Sequence, residues 1–83
     1  MPRYYFNVRG PSAFADDEGS ELPDLASAEL EAVRLAGQML FDNPQVLLTS
    51  SKWTVEVADE DGVVFLLRVS TLEVAKPQAR AIG

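Results

Sequence analysis

Two clusters of carboxylates are the groups in this sequence most able to do chemistry: Asp16, Asp17 and Glu18 ahead of Gly19, and Asp59, Glu60 and Asp61 ahead of Gly62. Clustered oxygens hold calcium when they alternate around a loop that closes with a bidentate glutamate at its twelfth position. Neither cluster alternates in this way, and twelve residues counted from Asp59 end at Ser70. Asp and Gly are also ordinary turn formers, so the sequence assigns no metal ligand. Paired carboxylates can act as acid and base on a glycosidic bond. That chemistry needs a pocket to raise one pKa, and a domain of one helix and one sheet is expected to offer little concavity. The chain has no histidine and no cysteine. The commonest general base, the commonest metal ligand and the thiolate nucleophile are therefore all missing. Lys52 is the only lysine inside the fold, and its parity puts it on an open strand face. The expectation is a protein that is not an enzyme, with no catalytic residue, metal or cofactor.

A second set of residues is gathered by strand parity. Alternation places Arg3, Tyr5, Asn7 and Arg9 on one side of an N-terminal strand, with Lys52, Thr54, Glu56, Val64, Leu66 and Arg68 on the matching side of two later ones. Four of the seven basic residues (Arg3, Arg9, Lys52 and Arg68) share this face. Basic residues around an aromatic outline a platform for single-stranded nucleic acid, but such platforms stack several aromatics and here Tyr5 stands alone. A net charge of −6 also opposes binding that runs on phosphate neutralisation. Arginine and threonine serve equally to solubilise an exposed antiparallel face. Val64 and Leu66 do not, and they point toward protein contact. The candidate interaction surface is Arg3, Tyr5, Arg9, Lys52, Val64, Leu66 and Arg68. Its expected partner is a second copy, giving a homodimer, or another protein; nucleic acid is disfavoured.

The elements that must position these residues follow from periodicity. Leu22 to Phe41 is the one stretch long enough for several helical turns. Leu25, Ala28, Ala32, Leu35, Ala36 and Met39 fall on one face of it, with Ser27, Glu31, Arg34 and Gln38 opposite. The alanines spaced by four form a methyl ridge suited to lying close on a sheet. Asp24 suits the N-cap, Glu29 and Glu31 add negative charge near the positive end of the dipole, and Asn43-Pro44 stops the helix. Residues 3–9 alternate as a half-buried strand, and a short second strand is expected at Ala13 to Asp16, anchored by Phe14. Residues 45–51 do not choose between a helical turn and extended chain. Lys52 to Ala58 and Val63 to Ser70 alternate around an acidic turn, so a hairpin pairs Trp53 with Val69, Val55 with Leu67 and Val57 with Phe65. A three-residue loop with a bulge at Gly62 is expected to close it. The fold class is α+β: β-β-α-β-β, a four-stranded antiparallel sheet in the order 2-1-3-4, with one helix packed on one face. Residues 1–75 form one domain, and 76–83 read as a flexible tail.

The opening M-P-R-Y-Y-F-x-V-R, the run D-x-E-G-x-E-L-P-D-L from Asp16 to Leu25, and V-E-V-x-D-E-x-G from Val55 to Gly62 resemble a family of small uncharacterised proteins. That family, a domain of unknown function, is found mainly in α-proteobacteria. The resemblance spans residues 1 to about 70 and implies a stand-alone domain with no assigned activity. It supplies no catalytic residue to carry over. The segment Asn43 to Ser51 is longer and more apolar than the family pattern. In layout alone the chain is also similar to small antitoxin domains, an analogy of fold rather than of site. The absence of cysteine, of a signal-like N-terminus and of a membrane-length apolar run makes the cytoplasm the expected setting. If the acidic turns hold no metal, millimolar calcium leaves the melting temperature where sodium at equal ionic strength leaves it. A bound ion at a hundred times its Kd would add about 2.7 kcal/mol of stability.

Overall fold

The computed structural model describes residues 1–10 and 13–75; the segment expected to be a flexible tail lies outside the described residues. In chain order the elements are β1 (Arg3–Arg9), β2 (Ser20–Glu21), α1 (Leu25–Asp42), α2 (Gln45–Ser50), β3 (Lys52–Asp59) and β4 (Gly62–Ser70). The strands form one antiparallel sheet in the order β2-β1-β3-β4. This is the expected β-β-α-β-β arrangement, with α2 added where residues 45–51 had left helix and extended chain open.

α1 starts where the Asp24 carboxylate accepts from the Ser27 amide at 2.9 Å. It ends where the Asn43 amide donates to the Met39 carbonyl, one residue before proline. Glu29 and Glu31 lie beyond the first turn, so only Asp24 meets the positive end of the dipole at close range. The alanine ridge is the buried face: Ala28, Ala32 and Ala36 are sealed against Trp53, Val55 and Val57 of β3 and Tyr4 of β1. Leu35, Met39, Phe65, Leu67 and Val69 are half-buried around this centre. Leu25, expected on the buried face, is the first helical residue and is exposed.

The β3–β4 hairpin has the expected pairs, Trp53 with Val69, Val55 with Leu67 and Val57 with Phe65. A slip of one residue would carry these apolar side chains to the solvated face. The loop differs from the expected one. The register shifts between Val57 and Ala58, so that Ala58 pairs with Val63 and Asp59 with Gly62 around a turn at Glu60 and Asp61. The extra residue is therefore Val64, inside the strand rather than at Gly62, and the Asp59 carboxylate braces the turn by accepting from the Asp61 amide at 2.8 Å.

The second strand is not at Ala13 to Asp16. Phe14 makes a single bridge to Val8, with two 2.8 Å backbone bonds, and its side chain is 61% exposed rather than an anchor. β2 lies later, with Ser20 opposite Tyr4 and Glu21 opposite Arg3. Between bridge and strand, Asp16 does what a ladder would have done. Its Oδ2 accepts from the Phe6 amide of β1 at 3.2 Å, and its Oδ1 from the amides of Glu18 and Gly19. The Asp16 amide in turn donates to the Asn7 side-chain oxygen at 2.8 Å. Gly19 adopts φ 73°, and a Cβ there would stand 2.8 Å from Arg3 Cγ and 3.0 Å from the Tyr4 carbonyl, so only glycine fits.

The Gly19 amide, with those of Phe6 and Glu18 and the Arg3 charge, holds the Asp16 carboxyl below its ordinary value of 3.8 against an opposing push from burial. A depressed carboxyl contributes stability above its unfolded pKa and loses it as pH falls through the folded one. Asp16→Ala should therefore lower stability at pH 7 by about 1–2 kcal/mol, a fall of several degrees in Tm for a domain this size. In thermal melts across pH, the gap between variant and parent should narrow below pH 3.8.

Candidate interaction surface

The sheet face away from α1 is ordered in rows by the strand register. Tyr5, Ala58 and Val63 form one row, Asn7, Glu56 and Leu66 the next, and Arg9, Thr54 and Arg68 a third. Lys52 pairs with Ser70 at the end. The structure thus brings Tyr5, Arg9, Leu66 and Arg68 together on one face, as parity requires. Lys52 closes the far end, and Arg3 lies at the opposite margin beside β2.

The charges on this face are not equivalent. Arg9 reaches diagonally to Glu56, with Nε and Nη2 bonds of 3.2 and 3.1 Å to Oε1. Glu56 is 8% exposed, whereas the Arg9 side chain remains 70% exposed. Arg3 donates to the Glu18 carbonyl at 2.7 Å and pairs with Glu21 at 3.1 Å, so it clamps the acidic turn to β1. Tyr5 is half-buried with Cε2 beside Gly19, where an added Cβ would come within 2.9 Å. Among the described residues, Lys52 and Arg68 carry positive charge without an ion-pair partner.

The apolar members lie toward β4. Val63, Val64 and Leu66 are 53, 37 and 58% exposed, and the bulge at Val64 adds a second outward valine that alternation alone would not supply. β4 is the outer strand, and no strand pairs with its far edge among the described residues. The other margin of the sheet is occupied by β2, the Phe14 bridge and the Asp16 carboxylate.

Three features escaped the sequence. Alternation makes Glu56 one exposed face residue among others, although its diagonal to Arg9 signals a pair. The outward side of α1 is not wholly polar, since Leu30, Val33 and Phe41 are exposed along it. A cleft of about 350 Å³ opens between the C-terminal half of α1, the start of α2, and Val8, Phe14 and Trp53, so the expected lack of concavity does not hold. Among the described residues there is no group of three or more Asp and Glu placed to hold a metal ion. No helix there is long and apolar enough to cross a membrane.

Among known families, the model described as Domain of unknown function (DUF6894) matches residues 3–70. No curated protein and no solved structure matches the chain.

A buried carboxylate depends on its partner more than an exposed one does, because losing the partner leaves the charge unpaired. Arg9→Ala should cost about 1–3 kcal/mol in urea unfolding, and Arg68→Ala should stay within about 0.5 kcal/mol of the parent. In a double-mutant cycle, adding Glu56→Leu should recover most of the Arg9→Ala loss.

Proposed function

We propose that this chain, which belongs to the DUF6894 family, is a non-catalytic interaction module that self-associates as a homodimer through β4. The observation that carries the reading is the outer edge of the nine-residue β4, which no strand pairs among the described residues, with Val63, Val64 and Leu66 exposed along it. Unpaired edge amides and carbonyls are a template for another strand, and Arg68 is the only blunting charge from Val63 to Ser70. An edge pairing about a two-fold axis uses the same strand from both copies and brings the two sets of apolar side chains together. Burying Val64 and Leu66 contributes roughly 1.5–3 kcal/mol per side chain before the cost of association. Ladder hydrogen bonds supply directional specificity. An extended segment of a different protein could use the edge in the same way.

The alternatives, a nucleic-acid-binding sheet face or an antitoxin-like partner protein, draw less support. Arg3 and Arg9 are already engaged with carboxylates, which leaves Lys52 and Arg68 to meet a phosphate backbone. Tyr5, half-buried with a ring edge beside Gly19, is a lone aromatic where stacking platforms use several. Catalysis is set aside because the chain lacks histidine and cysteine. The lack of cysteine also suits the bacterial cytoplasm as the setting for the module.

Sedimentation across a concentration series tests the reading. The parent should be dimeric at tens of micromolar, and Leu66→Arg should be monomeric with its Tm little changed, because the new guanidinium faces Glu56 across the ladder. A parent that is monomeric at several hundred micromolar overturns the dimer. A dimer that survives Leu66→Arg but dissolves in Val33→Arg places the contact on the outward side of α1 instead.

A further inference from the structure

Trp53 is the only tryptophan in the chain and is 2% exposed. Its indole Nε1 is sealed from solvent and has no hydrogen-bond partner among the described residues. Buried indole N–H groups usually find an acceptor, so an orphaned donor in a native interior calls for an explanation. The same residue lines the apolar cleft, together with Val8, Phe14, Leu35, Met39 and Val46. At about 350 Å³ the cleft falls at the lower end of the range for small-molecule sites, roughly 300–1,000 Å³. Close packing of α1 and α2 over Trp53 would have filled it. An open apolar cleft and an unpaired donor meet at one side chain.

We propose that the cleft binds a small uncharged aromatic or alicyclic molecule carrying one hydrogen-bond acceptor, such as a carbonyl oxygen, which pairs with the Trp53 N–H. The aliphatic walls from Leu35, Met39 and Val46 fit an apolar body. Phe14, 61% exposed and held to β1 by a single bridge, supplies an aromatic surface that a ligand would bury. An anion is disfavoured by charge, because the lining holds the Asp42 carboxylate and no basic residue among the described residues. Because the N–H is sealed, a ligand reaches it only if the side chains around it move. Occupancy therefore couples the ligand to the packing of α1 on β3. The site is independent of the β4 edge, which contributes no residue to it.

The single tryptophan makes the test direct, since the ¹⁵N-labelled chain has one indole N–H resonance. The probes are acetophenone, its acceptor-less counterpart ethylbenzene, and benzoate. Acetophenone should move the indole resonance downfield and saturably at millimolar concentration. It should bind roughly three- to ten-fold more tightly than ethylbenzene, the range expected for one hydrogen bond, and benzoate should bind more weakly than either. Phe14→Ala, a change at an exposed side chain, should weaken acetophenone binding several-fold, and Val46→Phe, which fills the cleft, should abolish it. An indole resonance that does not move up to the solubility limit overturns the site. Equal affinity for acetophenone and ethylbenzene overturns the role of the N–H and with it the ligand class. Affinity unchanged in Phe14→Ala places binding elsewhere, and that variant decides the matter if Val46→Phe does not fold.

Discussion

The close seating of the α1 alanine ridge on the Trp53, Val55 and Val57 face of β3 is the contact on which the rest of the molecule depends. Side chains no larger than a methyl at Ala28, Ala32 and Ala36 let one helix cover the middle of the sheet, and these positions are buried to 5% exposure or less. Larger residues flank the ridge, so burial falls away quickly on either side. This explains why Phe65, Leu67 and Val69 of β4 are only half-buried. Trp53 extends the buried surface beyond the ridge, and a Cβ at Gly10 would stand 2.7 Å from the Trp53 Cβ. The chain just past β1 thus runs close beside the tryptophan. Narrow coverage by α1 also leaves room for the cleft, because neither Leu35 nor Met39 reaches far enough to fill the space between α1, α2 and Trp53.

The face away from the helix is governed by pairing of charge rather than by burial of apolar area. Glu56 sits at the centre of its row, enclosed by neighbouring strands and held by a guanidinium that remains largely in water. Buried carboxylates need such partners, and the partner's solvation keeps the arrangement from demanding full desolvation of two ions. The outcome is a graded surface. Charges nearest β2 are engaged in holding the N-terminal turn, those in the middle are engaged with Glu56, and the side toward β4 is apolar with Arg68 left over.

Much of this was legible where periodicity and turn chemistry spoke together. Trp53, Val55 and Val57 alternate with polar residues and face an equally regular partner, so a single register buried them all. The helix was bounded by a capping Asp24 and a stopping Pro44. Tyr5, Arg9, Leu66 and Arg68 fall in the rows that alternation gives them, although parity could not say that Arg3 and Arg9 are engaged. What failed to show was structure held by one side chain or by very short pairing. Ser20 and Glu21 are too few to alternate, and Phe14 looks like an anchor in sequence because nothing local reveals that its side chain stays exposed at the rim of a cleft. Asp16 has the composition of any acidic turn, and its three amide partners come from β1 and from two residues beyond it. The bulge at Val64 was displaced from the expected glycine because the turn closed in two residues, a choice of loop geometry that several sequences can make.

The two margins of the sheet differ in kind. At the β2 side, the outer groups of β1 are taken by Ser20 and Glu21, by the Phe14 bridge and by the Asp16 carboxylate, which terminates the ladder with a side chain. The β4 side has no such terminator among the described residues. A sheet that can be extended at both margins is competent to polymerise head to tail, whereas one that is stopped at one margin admits a single further strand and then has none left to offer. Asp16 and a two-residue β2 together leave little of the β1 edge for another strand, so the β4 margin is the longer template for growth.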